Sequence, residues 1–439
     1  MDTVIADKKL GPFLAMMLVV SGMIGSGIYL LPASLGVIGS ISILGWIAAM
    51  IGAAMLAGVF SWLTILRPGT AGLFSYILET TGPGTGFVIA TLYWAGNWVG
   101  GVAVALAVTG YLSVFLPVVS RPPGATIATI AVIWLLTGLN IVGPRFVAWT
   151  QGWLLAIGLA PVLLVAVGGW FYFHSHTFIA SWNVSGQSIM HVVPQSVVIV
   201  FWAFTGIENA ILVSPLVRNP ARDVAIASLG GLVIASVIYV AACTAITGIL
   251  PAAVLAKSNA PFADAVIPML GASVGAVIAL CAMLKASGTL GVSILTTVET
   301  ADSESILGQI RRNPTAHRGD RQSTAQIVFT GVLMSLVAAA SASPTLARQF
   351  SIVVDLSVVL CTFAYGAACA ALLRISSSVA PRMRVWARAL AIGGLLFSIA
   401  LIAASEFDLL IWSAGAIMLA ILAYLPIRQR RLRALKVTA

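Results

Sequence analysis

The sequence predicts an all-α integral membrane protein of twelve spanning helices, built as two inverted five-helix repeats whose first members are discontinuous. Three observations predict it. The composition is 60% hydrophobic and only 8% charged, with a mean hydropathy of +1.06, whereas soluble domains need about a quarter of their residues charged. Twelve apolar stretches reach the roughly 20 residues that cross about 30 Å of hydrocarbon. The first and sixth of these carry helix-weakening residues at their centres.

The stretches run approximately 11-37, 42-65, 85-116, 124-142, 146-173, 191-213, 224-250, 268-299, 324-344, 350-373, 386-404 and 407-427. Residues 1-439 read as a single transmembrane domain, with repeat one at 11-173, repeat two at 191-373, and the last two helices, 386-427, peripheral. The first run is too long for a signal peptide and lacks a small-residue cleavage site, so it is expected to be retained.

With a cytoplasmic N-terminus, Lys8, Lys9, Arg67, Arg145, Arg218, Arg222, the Arg311 to Arg321 cluster, Arg374, Arg382, Arg384, Arg388 and the tail from Arg428 to Lys436 all lie inside. Only Arg121, Lys257 and Arg348 fall outside, so the positive-inside rule places both termini in the cytoplasm. The net charge of +10 is explained by topology and anionic lipid rather than by nucleic acid. Cys243, Cys281, Cys361 and Cys369 sit inside spans without metal-ligand spacing and read as packing residues.

In the first span, Val19 to Gly36 reads VVSGMIGSGIYLLPASLG, with Gly22, Gly25 and Gly27 at mid-depth. Glycine there suits either close packing of small residues or an opened backbone that lines a cavity. The sixth span, VVIVFWAFTGIENAILVSPL, favours the second reading, because Thr205-Gly206 is followed by Glu208 and Asn209. Interrupted helices at corresponding positions point to a substrate site at the membrane midplane.

GMIGSGIYLLPASLG, FWAFTGIENA and VRNPARDVAIASLGG are identified as marks of the amino acid-polyamine-organocation superfamily. Within it the chain most resembles the bacterial basic amino acid and polyamine antiporters, such as the arginine-agmatine antiporters; LYWAGNW, NAPFADA and Ser357 extend the similarity over nearly the whole chain. The resemblance implies a LeuT-like 5+5 inverted repeat, alternating access, a bacterial inner-membrane location and a possible homodimer. It also implies transport of an amino acid or amine, by exchange or with protons.

A zwitterion in a low-dielectric cavity needs aimed partners at both ends. The opened first helix offers N-H groups and a helix end to a carboxylate, which assigns Ser26 and Gly27, with Ile24 and Gly25 beside them. The break in the sixth helix offers carbonyls to an ammonium, and the resemblance puts Trp202 and Thr205 there, Trp202 also serving as a lid. Without the adjacent break, Trp202 would read as a packed aromatic. Glu208 is costly in mid-span, and its counterparts imply a gating or protonation role; a structural ion pair is the alternative.

The arginine-agmatine antiporters have Asn, Asn and Trp where this chain has Gly22, Gly101 and Ser293. Loss of the guanidinium contacts, including the stacking Trp, argues against arginine and enlarges the pocket. Asn97, one turn before Gly101, either replaces the lost amide or packs between helices.

Lys285, in the middle of CAMLKASGTLGVSIL, has no polar run toward which to snorkel. One reading puts its ammonium where sodium-coupled relatives of this fold hold a sodium ion, near the carbonyls of Met23 and Ile24, as a proton-coupling group. The other is a static salt bridge to Asp355, two residues before Ser357. An unpaired Lys285 facing the cavity would repel cations and favour neutral or acidic amino acids, whereas Asp355 facing it would favour amines.

Tyr93, and less directly Trp98 and Tyr365, resemble cavity and gate positions; Trp94 reads as facing lipid or a neighbouring helix. His174 and His176 lie in an external loop, His191 at a helix start and His317 in a basic cytoplasmic loop, so no enzymatic cluster, metal set or cofactor site is expected in any span. A channel would need a continuous polar lining, and only Glu208, Lys285 and Asp355 are charged in mid-span.

Overall fold

The computed structural model describes residues 10–25, 27–67, 72–212, 214, 217, 219–303, 324–378 and 380–438. Ser26, Lys8, Lys9, Arg218 and the Arg311 to Arg321 cluster lie outside the described residues, as do the side chains of Arg145 and of the tail from residue 430. Among the described residues the regular structure is helical, apart from one isolated pairing of Leu10 with Val217.

The first expected span is divided into α1 (Pro12–Met23), a 3₁₀ turn (Gly27–Tyr29) and α2 (Leu31–Gly36), with a bend of 49° between its halves. α3 (Ser42–Leu66), the amphipathic α4 (Leu73–Thr81), α5 (Pro83–Leu112) and α6 (Gly124–Val142) follow. α7 (Pro144–Leu163) contains Pro161, which cannot donate a helical hydrogen bond. The chain then loosens into a π turn (Leu164–Gly168) and a 3₁₀ turn (Gly169–Tyr172) before the short α8 (Ser175–Ala180).

The sixth expected span is α9 (Ile189–Phe201), a 3₁₀ turn (Trp202–Phe204) and α10 (Asn209–Leu212), with non-helical chain between the last two. α11 (Pro220–Ile249) starts where the sequence asks it to. Asn219 caps it by accepting from the Arg222 N–H, and the Asp223 carboxylate returns a bond to the Asn219 N–H at 3.0 Å, with Pro220 at the first helical position. Then come α12 (Ala252–Leu255), α13 (Pro261–Leu270), α14 (Ala272–Ser303), α15 (Thr324–Ala340), α16 (Leu346–Ile375), α17 (Pro381–Ala403) and α18 (Phe407–Thr438).

By length and apolarity, eight of the described helices qualify as membrane spans, or nine when the bent first pair counts as one. The stretches at 146-173, 191-213 and 324-344 contain shorter apolar helices, Ile157–Tyr172, Ile189–Phe204 and Thr324–Ala340. One boundary is corrected outright. The eighth stretch does not begin at residue 268, because α13 ends at Leu270 and Gly271, at φ 92°, turns the chain before α14.

α5 packs against both α14 and α16 at the centre, α11 lies beside α1 of the broken first span, and α3 packs against α11 and against α9 of the sixth. The most apolar window of α16 is 78% buried, against 28% for α17 and 17% for α18, so the last two helices sit at the periphery. Lipid gives no hydrophobic drive between helices, so contact rests on close fit. Small residues supply it: a side-chain carbon at Gly96 of α5 would meet Cys361 Sγ and the Ser357 carbonyl of α16.

Candidate functional site

The helix breaks arise from local chemistry. In α1 the last turn closes with the Ile24 N–H on the Val20 carbonyl, and the Gly25 N–H then turns back to the Met23 carbonyl at 2.7 Å. In the sixth span Thr205 is extended (φ −62°, ψ 143°) and Gly206 adopts φ 97°, the left-handed region where a Cβ is strained. The Thr205 hydroxyl and N–H both bond to the Trp202 carbonyl, closing the end of the 3₁₀ turn.

The two breaks touch. A side-chain carbon on Gly206 would lie 3.2 Å from the Gly22 carbonyl oxygen, and one on Gly22 would lie 2.5 Å from the Asn209 amide nitrogen. Both readings of the first-span glycines therefore hold, at different residues. Gly22 is helical and serves close packing, whereas Gly25 and Gly27 border the opened segment.

Between the breaks lies a cavity of about 590 Å³. Of the residues assigned from sequence, Gly25, Gly27, Tyr93, Asn97, Trp202, Thr205, Glu208, Lys285, Ser293 and Ser357 line it. Ile24, 2% exposed, does not line it; its N–H is spent on the last turn of α1. Gly101 faces elsewhere, since a side chain there would meet Met334 of α15 at 2.8 Å and the Ser293 hydroxyl at 3.2 Å. Ser26 is outside the described residues.

Trp202 lies in a slot made by two glycines. A side-chain carbon on Gly27 would come within 2.8 Å of the indole Cδ1, and one on Gly100 of α5 would lie 2.5 Å from the opposite ring edge. The indole thus bridges the first-span break and α5. Gly100 was not anticipated, although Gly96 and Gly100, one helical turn apart, were a legible small-residue stripe.

Among the described residues Glu208 has no ion-pair partner; three donors surround its carboxylate. Tyr93 of α5 donates to Oε1 at 2.6 Å, Tyr365 of α16 to Oε2 at 3.0 Å, and the Gly206 N–H to Oε2 at 3.1 Å. One side chain thereby ties the break to two central helices. Tyr93 spends its hydroxyl on this contact while its ring meets Phe74 edge-on at 5.2 Å. Tyr365 is held through Glu208 rather than by the cavity wall, and Trp98 packs against Trp94 with ring centres 6.0 Å apart.

Lys285 is 1% exposed, lines the cavity, and runs its aliphatic stem against Gly158 of α7. Its Nζ has no hydrogen-bond partner, and Asp355 Oδ1 has none either. The two do not pair: the ion pairs among described residues are Arg67–Glu79 and Arg348–Glu406, and Asp355 lines a different cavity. Nor does the ammonium bond to the Met23 carbonyl, which takes the Tyr239 hydroxyl at 2.6 Å. Ser357 donates to the Gly96 carbonyl at 2.7 Å and leaves only lone pairs to the cavity. Asn209, Thr289 and Phe74 also line the cavity and were missed by the sequence reading.

A model of the amino acid permease family matches residues 10–422. The chain is 38% identical to the cadaverine/lysine antiporter of Escherichia coli strain K12 over 264 residues, 60% of this chain and 59% of that protein, so the match spans under two thirds of that relative. It is 30% identical to the putrescine transporter PotE of the same strain over 397 residues, 89% of this chain and 90% of that one. The Haemophilus influenzae putrescine transporter PotE is also 30% identical, over 91% of this chain and 93% of its own.

Proposed function

We infer that this chain, which belongs to the amino acid permease family, carries an amino acid or related amine across a bacterial inner membrane by alternating access, with exchange as the working mode. The single observation that carries this is the meeting of two broken helices, at Gly22 and Gly206, over one cavity of about 590 Å³. The similar proteins bear the names of antiporters and transporters rather than enzymes. No cofactor or metal is invoked.

In this reading the main chain around Gly25 to Gly27 receives the substrate carboxylate, and Trp202 and Thr205 at the second break receive the ammonium. Asn97, Ser293 and Ser357 complete the wall around the side chain. Arginine is disfavoured, because Gly101 and Ser293 offer neither amide nor stacking ring to a guanidinium. Trp202 leaves its glycine slot when the opposite face opens. Glu208 links this movement to protons: a protonated carboxyl has fewer acceptor sites for Tyr93, Tyr365 and Gly206, which loosens the second break from α5 and α16.

The unpartnered Lys285 ammonium favours a second reading, in which a proton on Lys285 replaces the sodium of sodium-coupled relatives and neutral or acidic amino acids are taken up with it. Two inverted repeats, cytoplasmic termini and a homodimer accompany either reading. Counterflow in proteoliposomes, with and without an imposed proton gradient, tests the proposal: exchange predicts labelled uptake driven by internal substrate alone, and absence of any counterflow refutes it.

A further inference from the structure

A second cavity, of about 130 Å³, is separate from the central one. It lies at the end of the bundle where α2 hands over to α3, opposite the α4 end, and is walled by Ser34 of α2, Gln195 and Ile199 of α9, the first turns of α16 and the connection from α17 to α18.

The cationic side chain in the wall, Arg348, is already engaged: its Nη2 reaches both Glu406 oxygens at 3.1 Å. Asp355 stands deeper, with Oδ1 buried and without a hydrogen-bond partner. With the Arg348–Glu406 pair neutral overall, no cation in the wall is left to compensate Asp355 in its ionised form.

The serine hydroxyls cannot relieve that charge, because their hydrogens are spent, while the Thr345 hydroxyl accepts from the Arg348 N–H. Ser34 and Ser351 both donate to the Ala347 carbonyl, at 3.4 and 3.0 Å, and Ser405 donates to the Leu401 carbonyl at 3.0 Å. Each therefore turns lone pairs toward the cavity. Gln195 supplies an amide of either polarity. A guest that matches a carboxylate set among hydroxyl lone pairs is a compact cation made of donors.

We propose that this cavity is an accessory binding site for a small primary ammonium, with Asp355 as its counter-ion and the Ser34, Ser351 and Ser405 oxygens as acceptors. It is distinct from the substrate cavity, and it stands whether or not the exchange reading above holds. The volume suits an alkylammonium of one to three carbons rather than a complete amino acid. Its guest could be the ammonium end of a substrate on its way in or a free alkylamine, and both present the same R–NH₃⁺ group.

The test is calorimetric titration of ethylammonium chloride, which has no carboxylate, into the full chain in lipid nanodiscs. Saturable binding is expected, weakened at least about tenfold in Asp355→Asn and by a few-fold in Ser351→Ala, as loss of an ionic and of a neutral acceptor requires. Ser293→Trp, which obstructs the central cavity, leaves the affinity within about twofold. Equimolar potassium chloride does not displace the amine. Unsaturable binding overturns the proposal, as do unchanged affinity in both the Asp355 and Ser351 variants, loss in Ser293→Trp alone, or displacement by potassium at equal concentration. Thermal melting of each variant separates lost binding from lost folding, and a second amine, n-propylammonium, repeats the comparison for a one-carbon-longer guest.

Discussion

Tyr93 of α5 donates a 2.6 Å hydrogen bond to the Glu208 carboxylate, joining residues 115 positions apart across the edge of the central cavity. Together with Tyr365 and the Gly206 N–H, it makes Glu208 the tie between the second helix break and the central helices. Hydrogen bonds to a charged group contribute about 1.5–3 kcal/mol each. Glu208→Gln keeps the shape but removes the charge and one acceptor. Transport in proteoliposomes is expected to fall about tenfold or more, with a flattened pH profile. A variant with the wild-type pH profile would leave Glu208 a structural residue only. Tyr93→Phe is expected to lower the rate several-fold while the pH dependence persists.

The glycine slot around Trp202 gives a steric prediction. A methyl group at Gly100 would meet the indole edge at 2.5 Å, closer than real side-chain carbons approach. Gly100→Ala should displace Trp202 and reduce counterflow at least about tenfold, on the scale of 1–3 kcal/mol for an overpacked core. Insertion and yield should be retained. If transport is unaltered, Trp202 is not seated as described.

Gly206 is required by its backbone rather than by its surroundings alone. At φ 97° a non-glycine residue pays about 1–3 kcal/mol of strain. Gly206→Ala is therefore expected to lower the melting temperature by several degrees and to weaken transport together with it. Gly11→Ala, which has open space around its α-carbon, provides the matched control with little change.

Lys285 decides between exchange and proton coupling. Lys285→Ala removes an ammonium that has no protein partner, so no ion pair is left broken. If Lys285 carries the coupled proton, uptake in this variant should lose its response to an imposed proton gradient while counterflow persists. An unchanged gradient response would remove Lys285 from the coupling.

The broken helices were legible because glycine and a mid-span carboxylate are locally costly in a membrane, so Gly25, Gly27, Gly206 and Glu208 announce themselves in the sequence. The partners of those residues were not. Glu208 finds Tyr365 157 positions away, and Gly100 becomes part of the site only because the Trp202 ring lies against it. Asn209 read as a neighbour of Glu208, yet its amide fills the space beside Gly22, which depends on how the two breaks meet. One of the two readings of Lys285 paired it with Asp355, because opposite charges in a membrane seek each other; the fold assigns them to different cavities. The break at Gly271 was hidden by the apolar residues on both sides of it.

A thermal-shift screen of amino acids, each beside its decarboxylated amine and its carboxamide, tests the central claim most directly. Binding to the folded state alone at a hundred times Kd stabilises it by about 2.7 kcal/mol, a shift of a few degrees or more. The account predicts stabilisation by at least one complete amino acid, too large for the accessory cavity of about 130 Å³, abolished in Ser293→Trp and reduced when Thr205 is replaced by Val. No shift with any member of the series, or an equal shift in wild type and both variants, would contradict it.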